Sequence, residues 1–318
     1  MTQNSNNTYD FAVIGAGVTG LAASMYAARL GLKTLCLGHS NGSELPLGGV
    51  ITTTDSVENY PGFSNISGFE LAEKIKDHAI SYALVTLKQE KVLSINKEKL
   101  FTIKTEKETY TSKTILIATG TKWKKLEVPG STEFENKGIA YCALCDGPLY
   151  KNKTVAVVGG SDSAAKDALV LSKHASKVFI IYRGEKIRAE PINLKKVEEA
   201  KNIEIIPNTN IVKFEGSSIL DKVILDKPYN GILELNLNGV FIAIGHEVLS
   251  GLAESLNVNL NEKKEIIIDH KTAETNISGI YAAGDVADKP FKQAITGVAE
   301  GCTAAHSAYE YISKNFFE

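Results

Sequence analysis

A strand-length apolar run, Tyr9-Asp10-Phe11-Ala12-Val13-Ile14, leads straight into Gly15-Ala16-Gly17-Val18-Thr19-Gly20. Small and apolar residues at helical spacing follow from Leu21 to Leu30, close at Gly31, and give way to a second apolar run, Lys33 to Leu37. Strand, glycine turn, helix and strand in this order leave few folds open. The first glycine permits the tight turn, the second lets backbone approach a pyrophosphate, and the third packs helix against strand. The N-terminus of the helix then faces the phosphates. The order predicts a dinucleotide site. The acid that usually takes the ribose hydroxyls at the end of the second strand is missing, since Gly38 and His39 stand there and Glu44 lies farther on in a loop.

The pattern returns once. Thr154 to Val158 is an apolar run that enters Gly159-Gly160-Ser161-Asp162-Ser163-Ala164, with a helical stretch from Ala165 to Lys173 and another apolar run from Lys177 to Tyr182. This is the main internal repeat of the chain. Ser161 stands where the middle glycine would be and crowds the closest approach. Arg183 and Arg188 lie at and just after the end of the second run. Arginine there can take the 2′-phosphate of NADP, where an acid would select NAD. The alternative is a solvated basic loop.

Between the two signatures lies Cys142-Ala143-Leu144-Cys145-Asp146-Gly147. Cysteines at this spacing can close a small disulfide ring, and the acid behind them can move a proton while a thiolate forms. Zinc is the alternative, but a structural zinc normally takes four protein ligands. Cys36 and Cys302 are lone residues far away in sequence, and no His-x-x-x-His partner accompanies the pair. Redox chemistry is the favoured reading.

Elsewhere, Leu47 to Phe63 carries glycines, threonines and a Tyr-Pro-Gly turn, and such a long loop in a compact domain points to function. A helix is expected over 68–83, then strands at 92–95, 101–105, 108–112 and 114–120. Val240 to His246 closes a series of apolar strands and turns, and the chain then passes through Ile266 to Asp269. Gly279 to Val286 reads as a strand ending in Gly284-Asp285, which sets a carboxylate at a ligand-binding sheet edge. A long helix follows over 295–312, its N-terminus suited to a flavin oxygen that gathers charge on reduction.

At 318 residues the chain suggests two domains. The formal net charge of −2 gives no case for nucleic acid or an anionic membrane, and no apolar run has membrane-span length. The polar start, Met1 to Thr8, lacks the order of a signal peptide. With only four cysteines, a cytoplasmic location is expected.

These residues, taken together from about Tyr9 to Ile312, resemble the low-molecular-weight thioredoxin reductases. The likeness rests on the first glycine signature, the Thr-Thr-Thr to Glu-Asn-Tyr-Pro-Gly loop and the Cys-x-x-Cys-Asp pair. Gly159 to Ala164, Ala243 to His246 and Ala282 to Ala294 continue it in order. The resemblance implies an α/β fold of two Rossmann-like dinucleotide-binding domains, the second inserted into the first. An FAD domain would comprise 1–123 and 247–318, and an NAD(P)H domain carrying the redox disulfide 124–246. FAD contacts are implied at Gly15, Ala16, Gly17, Val18, Thr19 and Gly20. Further ones are implied at Gly49, Thr54, Asn59, Val92, Ala118, Thr119 and Gly120, and at Gly284, Asp285, Lys292, Gln293 and Ala294. Pyridine-nucleotide contacts are implied at Gly159, Gly160, Ser161, Asp162, Ser163, Arg183, Arg188 and Gly245.

The activity implied is electron transfer from NADPH, with NADH as the alternative, through FAD and the Cys142–Cys145 disulfide to a thioredoxin-like protein. Asp146 is the acid, and the assembly is a homodimer. The chain departs from the family pattern at four places. Val50 replaces a glutamine, Ser161 a glycine, and Tyr182-Arg183-Gly184 a His-Arg-Arg run; Glu247-Val248-Leu249 follows His246 in place of a proline-asparagine turn. The arginine loss and Ser161 keep open the same fold reduced by ferredoxin or another non-nicotinamide donor; a nucleotide-binding redox sensor is the further alternative.

Overall fold

The first apolar run forms β1 (Thr8–Ile14) in the computed structural model, which describes residues 8–39, 46–54 and 57–316. Glu44, Asp55 and Ser56 lie outside the described residues. After β1 come α1 (Val18–Arg29), β2 (Thr34–Gly38), α2 (Gly68–Ile80), β3 (Val85–Gln89), β4 (Val92–Lys97), β5 (Phe101–Thr105) and β6 (Thr109–Ile117). The sheet order is β3-β2-β1-β6-β5-β4. Parallel pairing of β1 with both β2 and β6 buries it on both faces, which is why its sequence reads as a continuous apolar run rather than an alternation.

Two expectations are corrected in this sheet. Residues 108–112 and 114–120 do not form separate strands; β6 runs unbroken through Lys113, whose ammonium pairs with Asp10 on the neighbouring strand at 2.8 Å. An edge strand, β3, was not expected, and its half-exposed side chains give it only a weak apolar signal.

The chain forms two units, Met1–Lys122 with Val248–Glu318, and Trp123–Glu247. β7 (Thr121–Trp123) carries the first crossing. Within the second unit lie β8 (Ile139–Ala140), α3 (Ala143–Asp146), β9 (Thr154–Val158), α4 (Asp162–Ser172), β10 (Lys177–Ile181), α5 (Pro191–Glu199) and β11 (Ile203–Ile206). Then follow β12 (Ile211–Gly216), β13 (Leu220–Tyr229), β14 (Ile232–Asn236) and β15 (Gly239–Ile242). A parallel sheet of order β11-β10-β9-β15-β8 is covered on one face by α4 and α5, through Ala164, Ala168 and Leu171. The antiparallel sheet β12-β13-β14 covers the other, through Phe214, Val223 and Leu225.

β16 (His246–Val248) carries the return crossing, followed by α6 (Gly251–Ser255), β17 (Ile280–Ala282) and α7 (Ala294–Asn315). β17 joins the first unit's sheet beside β6. Residues 266–269 form no strand. Their N–H groups go to different segments, Ile266 to Val286, Ile267 to Asn259 and Asp269 to Glu274, so no ladder develops.

Candidate functional site

β1, β6 and β17 run parallel and end level: Ile14 pairs with Ile117, and Ile117 with Ala282. Three segments distant in sequence therefore leave one sheet edge together: Gly15 to Gly20, Ala118-Thr119-Gly120 and Gly284-Asp285. Ligands of open α/β sheets bind at such carboxyl ends. Gly15 holds φ +119°, and an added Cβ would stand 2.2 Å from the Ala118 carbonyl oxygen. No side chain with a Cβ fits there. Gly17 caps α1 without a side-chain hydrogen bond, and no acid stands in the first turn, so the helix end is open to an anion. The Gly48-Gly49 segment lies alongside, with the Gly48 N–H donating to Ala16 O at 2.8 Å and an added Cβ on Gly49 reaching 3.3 Å from the Gly17 Cα.

The other expected residues of this unit fall around these segments. Thr54 O accepts the Gly68 N–H at 2.9 Å at the start of α2, and Val92 opens β4, half-buried. Thr119 Oγ1 donates to Leu249 O at 2.7 Å, and Gly120 O accepts the Leu249 N–H at 3.0 Å. Asn59 Nδ2 donates to Gln293 Oε1 at 3.1 Å, joining residues 234 positions apart. Gln293 also closes a capping box with Thr296, fixing the N-terminus of α7 at Ala294. Lys292 turns its ammonium to Glu265 and to the Asp285 carbonyl, the latter at 2.8 Å, so it tethers the Gly284-Asp285 turn. The cradle of backbone and missing side chains fits a dinucleotide pyrophosphate.

Two contributions were not legible beforehand. Thr19 sits in a socket of three glycines: an added Cβ would come within 2.7 Å of its Oγ1 from Gly284, 2.5 Å of it from Gly297, and 2.5 Å of its carbonyl from Gly301. Glu300 accepts the Gly284 N–H at 2.9 Å. The available signal was a single acid among small residues, Gly297-Val298-Ala299-Glu300-Gly301, with glycines at helical spacing.

The second unit repeats the plan. Val158 pairs with both Ile181 and Ile242, so β9, β10 and β15 end level. Gly159 holds φ +151°, and its added Cβ would stand 2.2 Å from the Ala243 carbonyl oxygen. Ser161 caps α4 at φ −90° with no side-chain hydrogen bond and lies exposed. The serine therefore costs no backbone strain, and its hydroxyl stands at the lip of the turn. Asp162 and Ser163 open α4. The Asp162 carboxylate accepts from the Glu190 N–H and Asn193 Nδ2, both at 2.8 Å, and pairs with Lys166 at 2.8 Å. Burial pushes its carboxyl up, but these partners outweigh that and leave it below the usual carboxylate range.

Arg188 donates its N–H to Gly160 O at 2.6 Å, which brings the loop carrying both arginines back onto the turn; Arg183 and Arg188 keep exposed side chains. The Tyr182 ring lies between two glycines, 2.4 Å from an added Cβ on Gly160 and 2.7 Å from one on Gly184. Gly245 holds φ +104° with nothing within 4 Å of an added Cβ.

Cys142 and Cys145 form a disulfide with Cα atoms 5.3 Å apart. Their surroundings differ. Cys142 is 8% exposed, while Cys145 is open to solvent. Cys142 Sγ caps α3 by accepting the Cys145 N–H at 3.1 Å, a contact that favours negative charge on sulfur. Asp146 follows directly, half-buried, and desolvation raises its carboxyl above the usual range. Burial also raises the lone thiols, Cys36 to about 11 with a Ser24 hydrogen bond opposing, and Cys302. Neither is an activated nucleophile. Among the described residues no group of three or more His, Cys, Asp or Glu side chains could hold a metal, and no helix is long and apolar enough to cross a membrane.

Comparison with known proteins places these features in a family context. Residues 9–301 match the family described as pyridine nucleotide-disulphide oxidoreductase. A thioredoxin reductase of Treponema pallidum (strain Nichols) is 36% identical over 307 residues, which cover 96% of this chain and 97% of that protein. The crystal structure of Lactococcus lactis thioredoxin reductase in its FR conformation superposes with a TM-score of 0.89 at 34% identity, covering 96% of this chain and 99% of that one. A ferredoxin–flavin thioredoxin reductase from Clostridium acetobutylicum gives a TM-score of 0.51 at 31% identity, covering 97% and 99%.

Proposed function

The chain belongs to the pyridine nucleotide-disulphide oxidoreductase family, and from that premise we propose that it passes electrons from NADPH, through FAD, to the disulfide of a thioredoxin-like protein. It is a disulfide reductase of the thioredoxin reductase type. FAD is assigned to the unit of Gly15 and the pyridine nucleotide to the unit of Gly159. On this reading the enzyme is a homodimer of the cytoplasm. The observation that carries the proposal is the asymmetry of the Cys142–Cys145 pair, Cys145 exposed and Cys142 buried, with Asp146 next in the chain.

FAD held at the Gly15–Gly20 turn and the Gly284-Asp285 turn would supply the two-electron chemistry that links the pyridine nucleotide to the disulfide. The chain's own residues do the rest. As the Cys142–Cys145 bond opens, Asp146, kept protonated to higher pH than an ordinary carboxyl, supplies a proton to the departing sulfur. The Cys145 thiolate is the sulfur a protein can reach. It attacks one sulfur of the partner's disulfide, forms a mixed disulfide and releases the other as thiolate. Cys142, held by the Cys145 N–H, returns its proton to Asp146, attacks the Cys145 Sγ as the thiolate, closes the ring again and releases the partner's second thiolate. The partner gains two electrons and, from water, two protons.

A second reading keeps this fold and changes the donor to reduced ferredoxin. Its support is Gly184, which leaves the basic cluster at Arg183 and Arg188 one arginine short, together with the likeness to the Clostridium acetobutylicum protein. Steady-state turnover of an oxidised thioredoxin tests both. Turnover with NADPH is expected; turnover with reduced ferredoxin alone would transfer the assignment to the second reading.

A further inference from the structure

The turn that follows β17 is short, and its backbone is served by charged side chains from elsewhere in the unit. Its Gly284 N–H donates to Glu300 Oε2 at 2.9 Å, and its Asp285 carbonyl accepts from the Lys292 ammonium at 2.8 Å. Glu300 lies on α7 with its other oxygen 3.7 Å from Lys289 Nζ, and the two side chains are only 13% and 16% exposed. Burial raises the Glu300 carboxyl, while the Gly284 N–H and Lys289 act against it. The turn cannot settle elsewhere at no cost. Gly284 sits at φ +76° with Thr19 of α1 pressed against its open side, and Gly297 and Gly301 of α7 close on the same threonine. The first glycine turn, the Gly284-Asp285 turn and α7 thus share one joint, and Glu300 is its hydrogen-bonding member.

We propose that Glu300 is a positioning residue for the cofactor: it fixes the Gly284-Asp285 turn so that Asp285 is presented to FAD, an inference that rests on the assignment of FAD to this unit. Without an acceptor at position 300 the Gly284 N–H loses its partner inside the joint, a loss of the size that weakens binding about tenfold. Glutamine keeps an oxygen at the same reach for the Gly284 N–H and gives up the charge and the second oxygen that faces Lys289.

The test is equilibrium titration of flavin-stripped protein with FAD, read by quenching of flavin fluorescence and by the absorbance spectrum of the bound flavin. Thermal melting of the stripped protein is measured alongside. Glu300→Ala is expected to weaken FAD binding about tenfold or more and to shift the bound spectrum. Glu300→Gln is expected to stay within about threefold of the parent with the parent spectrum. Glu300→Asp, which withdraws the carboxylate by one methylene, replaces alanine if the alanine variant does not fold, with a loss of about threefold to tenfold. Parental affinity in the alanine or aspartate variant overturns the proposal. Equal weakening in alanine and glutamine variants also overturns it, because the acceptor is then not what matters. If the parent itself takes up no FAD, the functional assignment falls and this inference with it, an outcome distinct from the other two.

Discussion

At the first glycine turn, an added Cβ on Gly15 would stand 2.2 Å from the Ala118 carbonyl; at the second, one on Gly159 would stand at the same distance from Ala243. Both turns leave a central strand, both enter a helix without a side-chain cap, and both lie beside strands that end level with them. What surrounds them differs. The first is joined by the Gly48-Gly49 segment, by the Gly284-Asp285 turn and by α7, all within one unit. The second has a tyrosine ring against Gly160, an acid in the first turn of its helix and two exposed arginines beyond its strand. One backbone plan thus has a second glycine segment, a second turn and a long helix of its own unit against it in the first case, and a tyrosine ring and an exposed loop in the second. An enclosing site suits a cofactor that stays, and an open one suits a nucleotide that arrives and leaves each cycle.

The largest expected effect separates the thiols from both turns. Cys142→Ser or Cys145→Ser abolishes reduction of a protein disulfide and leaves NADPH-driven reduction of an artificial dye near the parental rate. Equal loss of both activities would make the pair structural and merge what the comparison keeps apart.

Gly15→Ala and Gly159→Ala meet the same backbone clash, and a strained backbone alone costs about 1–3 kcal/mol, or roughly tenfold to a hundredfold in affinity. Gly15→Ala should lose FAD on purification. Gly159→Ala should keep FAD and lose affinity for the pyridine nucleotide, as measured by calorimetric titration with NADP⁺. Loss of FAD in both variants would contradict the separate assignments.

Asp146→Asn is expected to lower turnover about a hundredfold. The sign of its pH dependence follows from the raised carboxyl. The acid works while protonated, so the rate in the parent falls as pH rises through a pKa above the usual 3.8, and the asparagine variant lacks that limb. A variant that retains the limb would assign the proton elsewhere.

The smallest effect concerns nucleotide choice. Arg183→Ala should narrow the advantage of NADPH over NADH in kcat/KM by about tenfold. If NADH leads in the parent, the arginines are solvated surface and the second turn holds a different nucleotide.

Much of this was readable in the chain. The glycine turns and their helices were, because a missing Cβ and an apolar strand are local requirements that sequence states directly. The disulfide pair was, because its spacing limits its chemistry. Lys113 concealed the continuity of β6, since its partner Asp10 lies on another strand. Glu300 and the Thr19 socket were hidden for the same reason: their meaning lies in contacts between α1, α7 and the turn after β17. The difference in exposure between Cys142 and Cys145 belongs to the fold as well, and no spacing rule encodes it.

On the proposed function, a pyridine nucleotide at the second turn feeds FAD at the first and then the disulfide. Anaerobic titration of the purified protein with NADPH, followed by flavin absorbance, tests it most directly. Full bleaching is expected after two equivalents, one electron pair for the flavin and one for the disulfide, and after one equivalent in the Cys145→Ser variant. A flavin that stays oxidised under excess NADPH and NADH but bleaches with reduced ferredoxin would contradict it.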